Sequence, residues 1–485
     1  MARQAGILMP IFSLPNDYGI GSFGKESYRF VDFLKSAGQS VWQVLPLGQT
    51  SVGDSPYQTT ADVSFNPYFI DLEDLYNSGL LTKRELNSAK TKNKKIDYGN
   101  LYSTRFSILK KAFSRFTYSD GFLSFKRSGK YEDYALFMAL KNLYGNLSDF
   151  PTEYKTRNKK ALYAFKKSNQ TEIDFYLFIQ FVAEKQYFKL KEYANENGVN
   201  IMGDLPLYVA VDSADVWTNP EVFKLDEDLN PTSVAGVPPD YFSADGQLWG
   251  NPLYDYEAME KDGFKWWKKR MRNALKKYDY IRIDHFRGLD RFWSIPLGKS
   301  AKEGKWEKAS GREILKTFKN RLIAEDLGVL DDGVLDLLRF TGYPGMRVLL
   351  FAFDGNPENI YLPKNVERNS VCYVGTHDND TAFGYAKKLN PKEFSVFKQR
   401  VNEVLPKGVE KIKKKAEVST ALIETAYSVK SEITIISYQD ILGYDNNYRI
   451  NEPSTVGNWV VRFTKKDFTE ETSERLKFLT EKYKR

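Results

Sequence analysis

The chain has a single cysteine, Cys372, and two histidines, His285 and His377, among 485 residues. One cysteine closes no internal disulfide and excludes a cysteine-based zinc site, which fits a reducing compartment. No stretch approaches the roughly 18 apolar residues of a membrane span. The apolar run in the opening "MARQAGILMPIFSLP" is too short for a secretion signal. These absences predict a cytoplasmic protein with no membrane partner. There is no tandem repeat, no low-complexity tail and no D-x-D-x-D-G calcium loop, and no cofactor is implied. The net charge of +8 comes from lysines and arginines that are scattered or grouped in short runs such as "KTKNKK" and "KIKKK". Such runs read as solvated helix faces and loops, so no nucleic-acid partner is expected. The sequence sets no oligomeric state.

What the chain has in excess is aromatic side chain: 31 Tyr, 33 Phe and 8 Trp, 15% of its residues. Most belong to a core. Those in loops with Gly, Pro, Asn and Asp need a second reason, and stacking on flat sugar faces is one. Hydrophobic residues at 42% and charged residues at 28% are ordinary for a globular chain long enough to bury a large core.

Short β-branched and aromatic runs alternate with longer amphipathic ones, the pattern of repeated βα units around a parallel sheet. Eight strands are predicted: 6–13, 40–47, 199–208, 280–286, 322–327, 347–353, 371–377 and 433–438. Eight suggests closure, so the expected fold class is α/β, a (β/α)8 TIM barrel with helical and loop insertions. After the first strand, "KESYRFVDFLKSAG" sets Phe30, Val31, Leu34 and Ala37 on one helical stripe with Gly38 as its stop. A longer helix is predicted over 171–198, opening on Thr171 and Asp174 at capping-box spacing. Residues 1–485 are expected to form a single barrel with two insertions, a helical one at 73–170 after the second strand and another at 212–265 after the third. The latter contains "VAGVPPDYFSADGQLWGNP", whose Gly and Pro density argues against regular structure over most of its length.

In such a barrel, functional residues stand at the C-terminal ends of the strands. Four of these ends carry acids: Asp204 in "IMGDLPLYV", Asp284 in "YIRIDHFRG", Glu325 in "RLIAEDLG" and Asp378 in "VCYVGTHDND". One Asp at a strand end is ordinarily a helix cap or turn former. Four on one mouth repel and desolvate one another, and persist for metal binding, for proton transfer or to stabilise a cation formed on a substrate. The metal reading takes Asp378, Asp380 and the two histidines as ligands. Against it stands Arg282, two residues before Asp284 on the same side of its strand. Its charge repels a dication and is expected to keep Asp284 ionised, as a nucleophile or base requires. Glu325, preceded by Leu-Ile-Ala, is expected in apolar surroundings that favour its neutral form. One ionised and one protonated carboxyl group flanking a bond is the arrangement for glycoside cleavage. Both histidines adjoin candidate acids and then serve as donors to sugar hydroxyls.

At these residues the sequence closely resembles the 4-α-glucanotransferases known as amylomaltases or disproportionating enzymes, relatives of the α-amylase clan. The likeness runs in order through "GILMPIFSLPNDYGIGSFG", "WQVLPLGQTSVGDSPYQ", "GDLPLYVAVDSADVW", "GVPPDYFSADGQLWGNPLYD", "RIDHFRGL", "IAEDLG", "GTHDND" and "NEPSTVGNW". It implies transfer of a 1,4-α-glucan segment to the 4-hydroxyl of an acceptor, with retention, through a covalent glucosyl-enzyme. The substrates it implies are α-1,4-glucans: maltooligosaccharides, amylose and glycogen-derived dextrins. It further implies Asp284 as nucleophile, Glu325 as general acid and base, and Asp378 as the acid that stabilises the transition state. Arg282 and His377 would hold the nucleophile and donor-site hydroxyls, and Tyr57 would lie under the sugar being cleaved, with Asp204 nearby. Asp240, Tyr241, Phe242, Gln247 and Trp249 resemble a flexible lid, and Asn451 a further substrate contact. The chain departs from the family pattern at "SFNPYFIDL", "KWEKASG", Tyr256 and Tyr385, none of which removes a catalytic candidate. Two rival readings are an α-amylase-like hydrolase and a catalytically silent polysaccharide-binding protein.

Overall fold

The computed structural model describes residues 3–239, 244–328 and 330–485. Eight parallel strands close a barrel: β1 (Gln4–Leu8), β2 (Val41–Gln43), β3 (Asn200–Leu205), β4 (Tyr280–Ile283), β5 (Leu322–Ala324), β6 (Gly345–Val348), β7 (Ser370–Tyr373) and β8 (Ile433–Ser437). Each lies beside its successor in this series, and β8 returns to β1 with Gln4 opposite Ile433. The fold is the expected (β/α)8 barrel. Every predicted run overlaps a strand, three of them starting one or two residues late, and several overrun it: Ile11–Ser13 and Leu349–Phe351 are single 3-10 turns, and Tyr438 starts a helix. There the chain stays buried as it turns out of the barrel, and an apolar run reports burial rather than strand pairing.

Local chemistry seats the surrounding helices. In Lys25–Ser36, Phe30, Val31 and Leu34 are buried together with the following Ala37, each large side chain contributing about 1.5–3 kcal/mol. Gly38 then takes a φ of +68° and ends the helix. The long helix Gln170–Glu196 begins one residue before the expected start, and the Thr171/Asp174 capping box is not formed. Asp174 instead turns inward and accepts from Lys126 Nζ at 2.6 Å and Tyr118 Oη at 3.0 Å, the partners a buried carboxylate requires. Between β2 and β3, helices from Leu72–Asn77 to Lys159–Ser168 absorb much of the aromatic excess. Phe116 and Phe122 meet edge to face there at 5.2 Å.

The segment expected to lack regular structure has strands at both ends. Ser233–Val237 and Gln247–Pro252 pair antiparallel, and Arg291–Pro296 and Lys305–Lys308 extend them into a four-stranded sheet outside the barrel. Its glycines and prolines stand where a sheet tolerates them. Pro252 and Pro296 end their strands, and a Cβ on Gly236 would stand 2.2 Å from the Gln247 carbonyl oxygen. Among the described residues, no helix is long and apolar enough to cross a membrane.

Candidate active site

Strands β3, β4 and β5 deliver three acids side by side. Asp204 of β3 stands in register with Arg282 of β4, while Asp284 and Glu325 are the first residues past β4 and β5, whose register sets Ile283 beside Ala324. Adjacent strands lie about 4.8 Å apart, so the two acids leave the barrel as lateral neighbours. Glu325 N–H donates to Ile283 O at 3.0 Å, and Phe286 N–H to Glu325 O at 3.1 Å. Gly203 precedes Asp204 because Tyr278 fills the space beside it: a Cβ there would meet the ring at 2.2 Å.

Arg282 is the hub of the site. Its Nε and Nη2 fork onto Asp204 at 3.0 and 2.6 Å, and Nη2 also reaches Asp284 Oδ1 at 2.9 Å and Tyr57 Oη at 3.0 Å. Tyr57 Oη donates to Asp204 Oδ2 at 2.5 Å and lies 2.8 Å from His377 Nε2, and the Tyr57 and His377 rings stack at 5.5 Å.

Glu325 is held by main chain rather than by charge. Its Oε2 accepts the His285 N–H at 2.8 Å and its Oε1 the Leu327 N–H at 2.9 Å. His285 takes a φ of +47°, uncommon for a residue with a side chain, at the turn that makes the first of these bonds. Asp378 follows β7 in a turn where Asn379 Oδ1 accepts the Thr376 N–H at 2.8 Å. Its Oδ1 accepts from Asn451 Nδ2 at 2.6 Å, and its Oδ2 lies 3.3 Å from His377 Nε2.

Burial pushes the Asp284 carboxyl well above its ordinary range; Arg282 opposes this, while Asp204, Glu325 and Asp378 add to it. Glu325 is raised as well, chiefly by burial, with Arg282 and the N–H groups of Leu327 and His285 opposing. The expected opposite shifts are therefore corrected to shifts in one direction. Arg282 divides its charge between Asp204 and Asp284, and one guanidinium does not offset desolvation together with the neighbouring carboxylates. The two acids titrate as a coupled pair that keeps a proton to higher pH than a free carboxyl would. Burial lowers His285 to about 3 and lowers His377 too, so both imidazoles are neutral at neutral pH.

Of the sequence-derived lid residues, Gln247 and Trp249 are placed, and Asp240, Tyr241 and Phe242 lie outside the described residues. Trp249 Nε1 donates to Gln247 Oε1 at 3.0 Å, and its ring meets that of His285 in a T-shaped pair at 4.8 Å. Asp380, a ligand in the metal reading, is instead ion-paired with Arg449 at 2.7 Å and Lys388 at 2.8 Å. Trp459, 5.9 Å from the Tyr57 ring and 6.1 Å from His377, was missed by sequence reasoning, as was Tyr208, 6.2 Å from Trp249. Both are aromatics in loops, buried against the rings of the site. Tyr256 and Tyr385, two of the departures from the family pattern, pack against other rings: Tyr256 against Tyr254 and Phe292, Tyr385 against Phe397.

Residues 9–467 match the model of a family described as 4-alpha-glucanotransferase. The chain belongs to the 4-alpha-glucanotransferase family. The 4-alpha-glucanotransferase of Clostridium butyricum is 41% identical over 493 aligned residues, 98% of this chain and 100% of the relative. That of Aquifex aeolicus is 42% identical over 485, covering 96% of each. Among solved structures, the amylomaltase from Streptococcus agalactiae in complex with acarbose superposes with a TM-score of 0.94 at 37% identity, covering 100% of this chain and 99% of that one. Membership of the 4-alpha-glucanotransferase family makes the chain a glycosyl-transferring enzyme rather than a silent binding protein.

Proposed function

We propose that the protein moves segments of α-1,4-glucans, such as maltooligosaccharides, amylose and glycogen-derived dextrins, to the 4-hydroxyl of an acceptor glucan or glucose by retaining double displacement in the cytoplasm. The carrying observation is the pairing of Asp284 and Glu325 on adjacent strand ends, one against a guanidinium and the other on two main-chain N–H groups. Glu325 gives its proton to the leaving glycosidic oxygen while Asp284 Oδ attacks the anomeric carbon. The bond from C1 to the leaving oxygen breaks as the bond to Asp284 forms. Glu325, now ionised, takes the proton of the acceptor 4-hydroxyl, whose oxygen displaces Asp284. Burial raises both acids, so the pair keeps a proton to higher pH than free carboxyls would; the first half-reaction uses that proton on Glu325 with Asp284 ionised, and the second draws its proton from the acceptor hydroxyl. Asp378 stabilises the positive charge that develops on the sugar ring, Tyr57 lies under that ring, and Asp204, Arg282, His377 and Asn451 hold its hydroxyls and the nucleophile.

Transfer must outcompete water at about 55 M, which a well-held acceptor does because effective molarities reach about 10⁵–10⁸ M. We assign retention of the acceptor and exclusion of water to Trp249, Tyr241 and Phe242, aromatic residues of the lid-like segment that also bears Asp240 and Gln247 within the 212–265 insertion. The support is the contact of Trp249 with His285, next to the nucleophile. Incubating the pure protein with maltotriose tests the reading. Glucose plus a ladder of longer chains, with little net growth of reducing ends, is expected. Maltose and glucose alone, with reducing ends rising, would mean a hydrolase.

A further inference from the structure

We propose that Arg449 is a positioning residue that aims Asp378 at the sugar ring; this rests on the reading of Asp378 as the acid that stabilises the transition state. Asp378 and Asn451 sit on different connections, one following β7 and the other following β8, both beyond Tyr373 and Ile435, the last residues paired between the two strands. Arg449 spans the two connections. Its Nη2 donates to the Asp378 carbonyl at 2.7 Å, its Nε to the Asn451 carbonyl at 2.8 Å, and its Nη1 to Asp380 Oδ1 at 2.7 Å. One planar guanidinium therefore ties both main chains at the points whose side chains meet, Asn451 Nδ2 on Asp378 Oδ1 at 2.6 Å. A second tie, Asn451 N–H on His377 O at 3.1 Å, runs parallel to it.

Asp380 is itself an anchored partner. Its Oδ1 also accepts from Lys388 Nζ at 2.8 Å and Asn446 Nδ2 at 2.9 Å, while Asn446 Oδ1 accepts the Thr381 N–H at 3.0 Å. The guanidinium is thus held by a carboxylate that the loop cannot carry away. The side chain of Arg449 is 14% exposed, and its remaining ionic contact is Glu452 at 3.5 Å, on a side chain that is 56% exposed. The contacts of Arg449 with Asp378 and Asn451 are to main-chain carbonyls, so it acts on where the Asp378 carboxylate stands rather than by bonding to that carboxylate. A lysine, whose three N–H donors share one nitrogen, cannot reach three acceptors spread around the plane of a guanidinium.

A misplaced stabiliser costs the transition state more than the ground state, and a displacement of about 1 Å costs about 10²-fold. The test compares wild type, Arg449→Met, Arg449→Lys, Asp380→Asn, Glu452→Gln and Asp378→Asn. The rate on maltotriose is read beside the affinities of two probes. One is a cationic imino-sugar that mimics the charged ring; the other is neutral, the uncleavable sulfur-linked maltotriose. Arg449→Met is expected to lower kcat about 10²-fold, to weaken the cationic probe comparably, and to leave KM and the neutral probe within about threefold. Arg449→Lys and Asp380→Asn should fall between it and wild type, and Glu452→Gln should match wild type. Equal weakening of both probes, or kcat within about threefold of wild type, overturns the proposal. If Arg449→Met does not fold, the lysine and Asp380 variants read the same ratio, and equal losses there overturn it. Asp378→Asn separates the two claims. If it keeps its preference for the cationic probe, the reading of Asp378 fails and the role of Arg449 with it. If only Arg449→Met keeps it, the positioning role fails alone.

Discussion

The rings of Trp249 and His285 stand perpendicular to each other, the centroids 4.8 Å apart and the planes at 88°. The His285 imidazole is neutral, so the contact is one of shape and quadrupole, not a cation on a ring. It sets an indole beside the residue that follows Asp284, the proposed nucleophile. Trp249→Ala opens that wall, and the ratio of hydrolysis to transfer on maltotriose should rise several-fold, read as new reducing ends per glucose released. An unchanged ratio would remove Trp249 from the exclusion of water.

Asp284→Asn and Glu325→Gln should fail differently. Loss of the nucleophile is expected to lower kcat by about 10⁴-fold or more on any donor. Loss of the acid should cost about 10²–10⁴-fold on maltotriose but far less on an α-glucosyl fluoride, whose leaving group needs no proton. A glutamine variant equally impaired on both donors would contradict the assignment of Glu325.

The pH profile of kcat/KM carries a sign. Attack needs an ionised carboxyl, so activity falls as pH drops through the lower apparent pKa of the pair. Because burial raises Asp284, that limb should lie above the ~4 of a free aspartate. The alkaline limb comes from loss of the proton on the partner, also raised. Arg282→Met deletes the opposing charge and should move the acid limb to higher pH. Movement to lower pH would contradict the electrostatic account.

Asp440, buried in the short helix after β8, accepts the Ala382 N–H at 2.7 Å, and burial lifts its carboxyl to about 7. The folded value exceeds the unfolded ~3.9, so its contribution to stability is complete below about pH 4 and lost as pH rises through about 7. Asp440→Asn keeps the acceptor and has no charge to bury. Its melting temperature should match wild type near pH 4 and exceed it at pH 8, by at most about 4 kcal/mol of stability. A gap that does not grow with pH would count against the shift.

Gly203→Ala forces a Cβ to within 2.2 Å of the Tyr278 ring. Overpacking of this kind costs about 1–3 kcal/mol, measurable by urea unfolding. Activity should fall as well, since the adjacent Asp204 is displaced from Arg282.

The barrel was legible because most of its strand residues are apolar and buried on both faces, as in Ile433–Ser437, with charged residues such as Asp204 and Arg282 confined to the strand ends that face the site. The ends of those strands were not, because Leu349 and Ile11 remain buried after pairing stops. The outer sheet was hidden by its glycines and prolines, whose places at strand ends and close approaches appear only once the strands are paired. The acids of the site and Arg282 were visible from spacing alone, since residues two apart share a strand face. The direction of the Asp284 shift was not, because it depends on how one guanidinium is divided between Asp204 and Asp284. Arg449 was invisible for a similar reason: its importance lies in main-chain carbonyls that no side-chain pattern records.

Ser233 to Gly236 lie opposite Pro296 to Trp293, so strand Ser233–Val237 pairs with the strand by which the chain departs from the Asp284 turn. The two strands are stitched edge to edge and cannot be exchanged independently. A chimaera that borrows 233–252 from a relative to retune product size should keep its rate only if the graft brings 291–296 from the same donor.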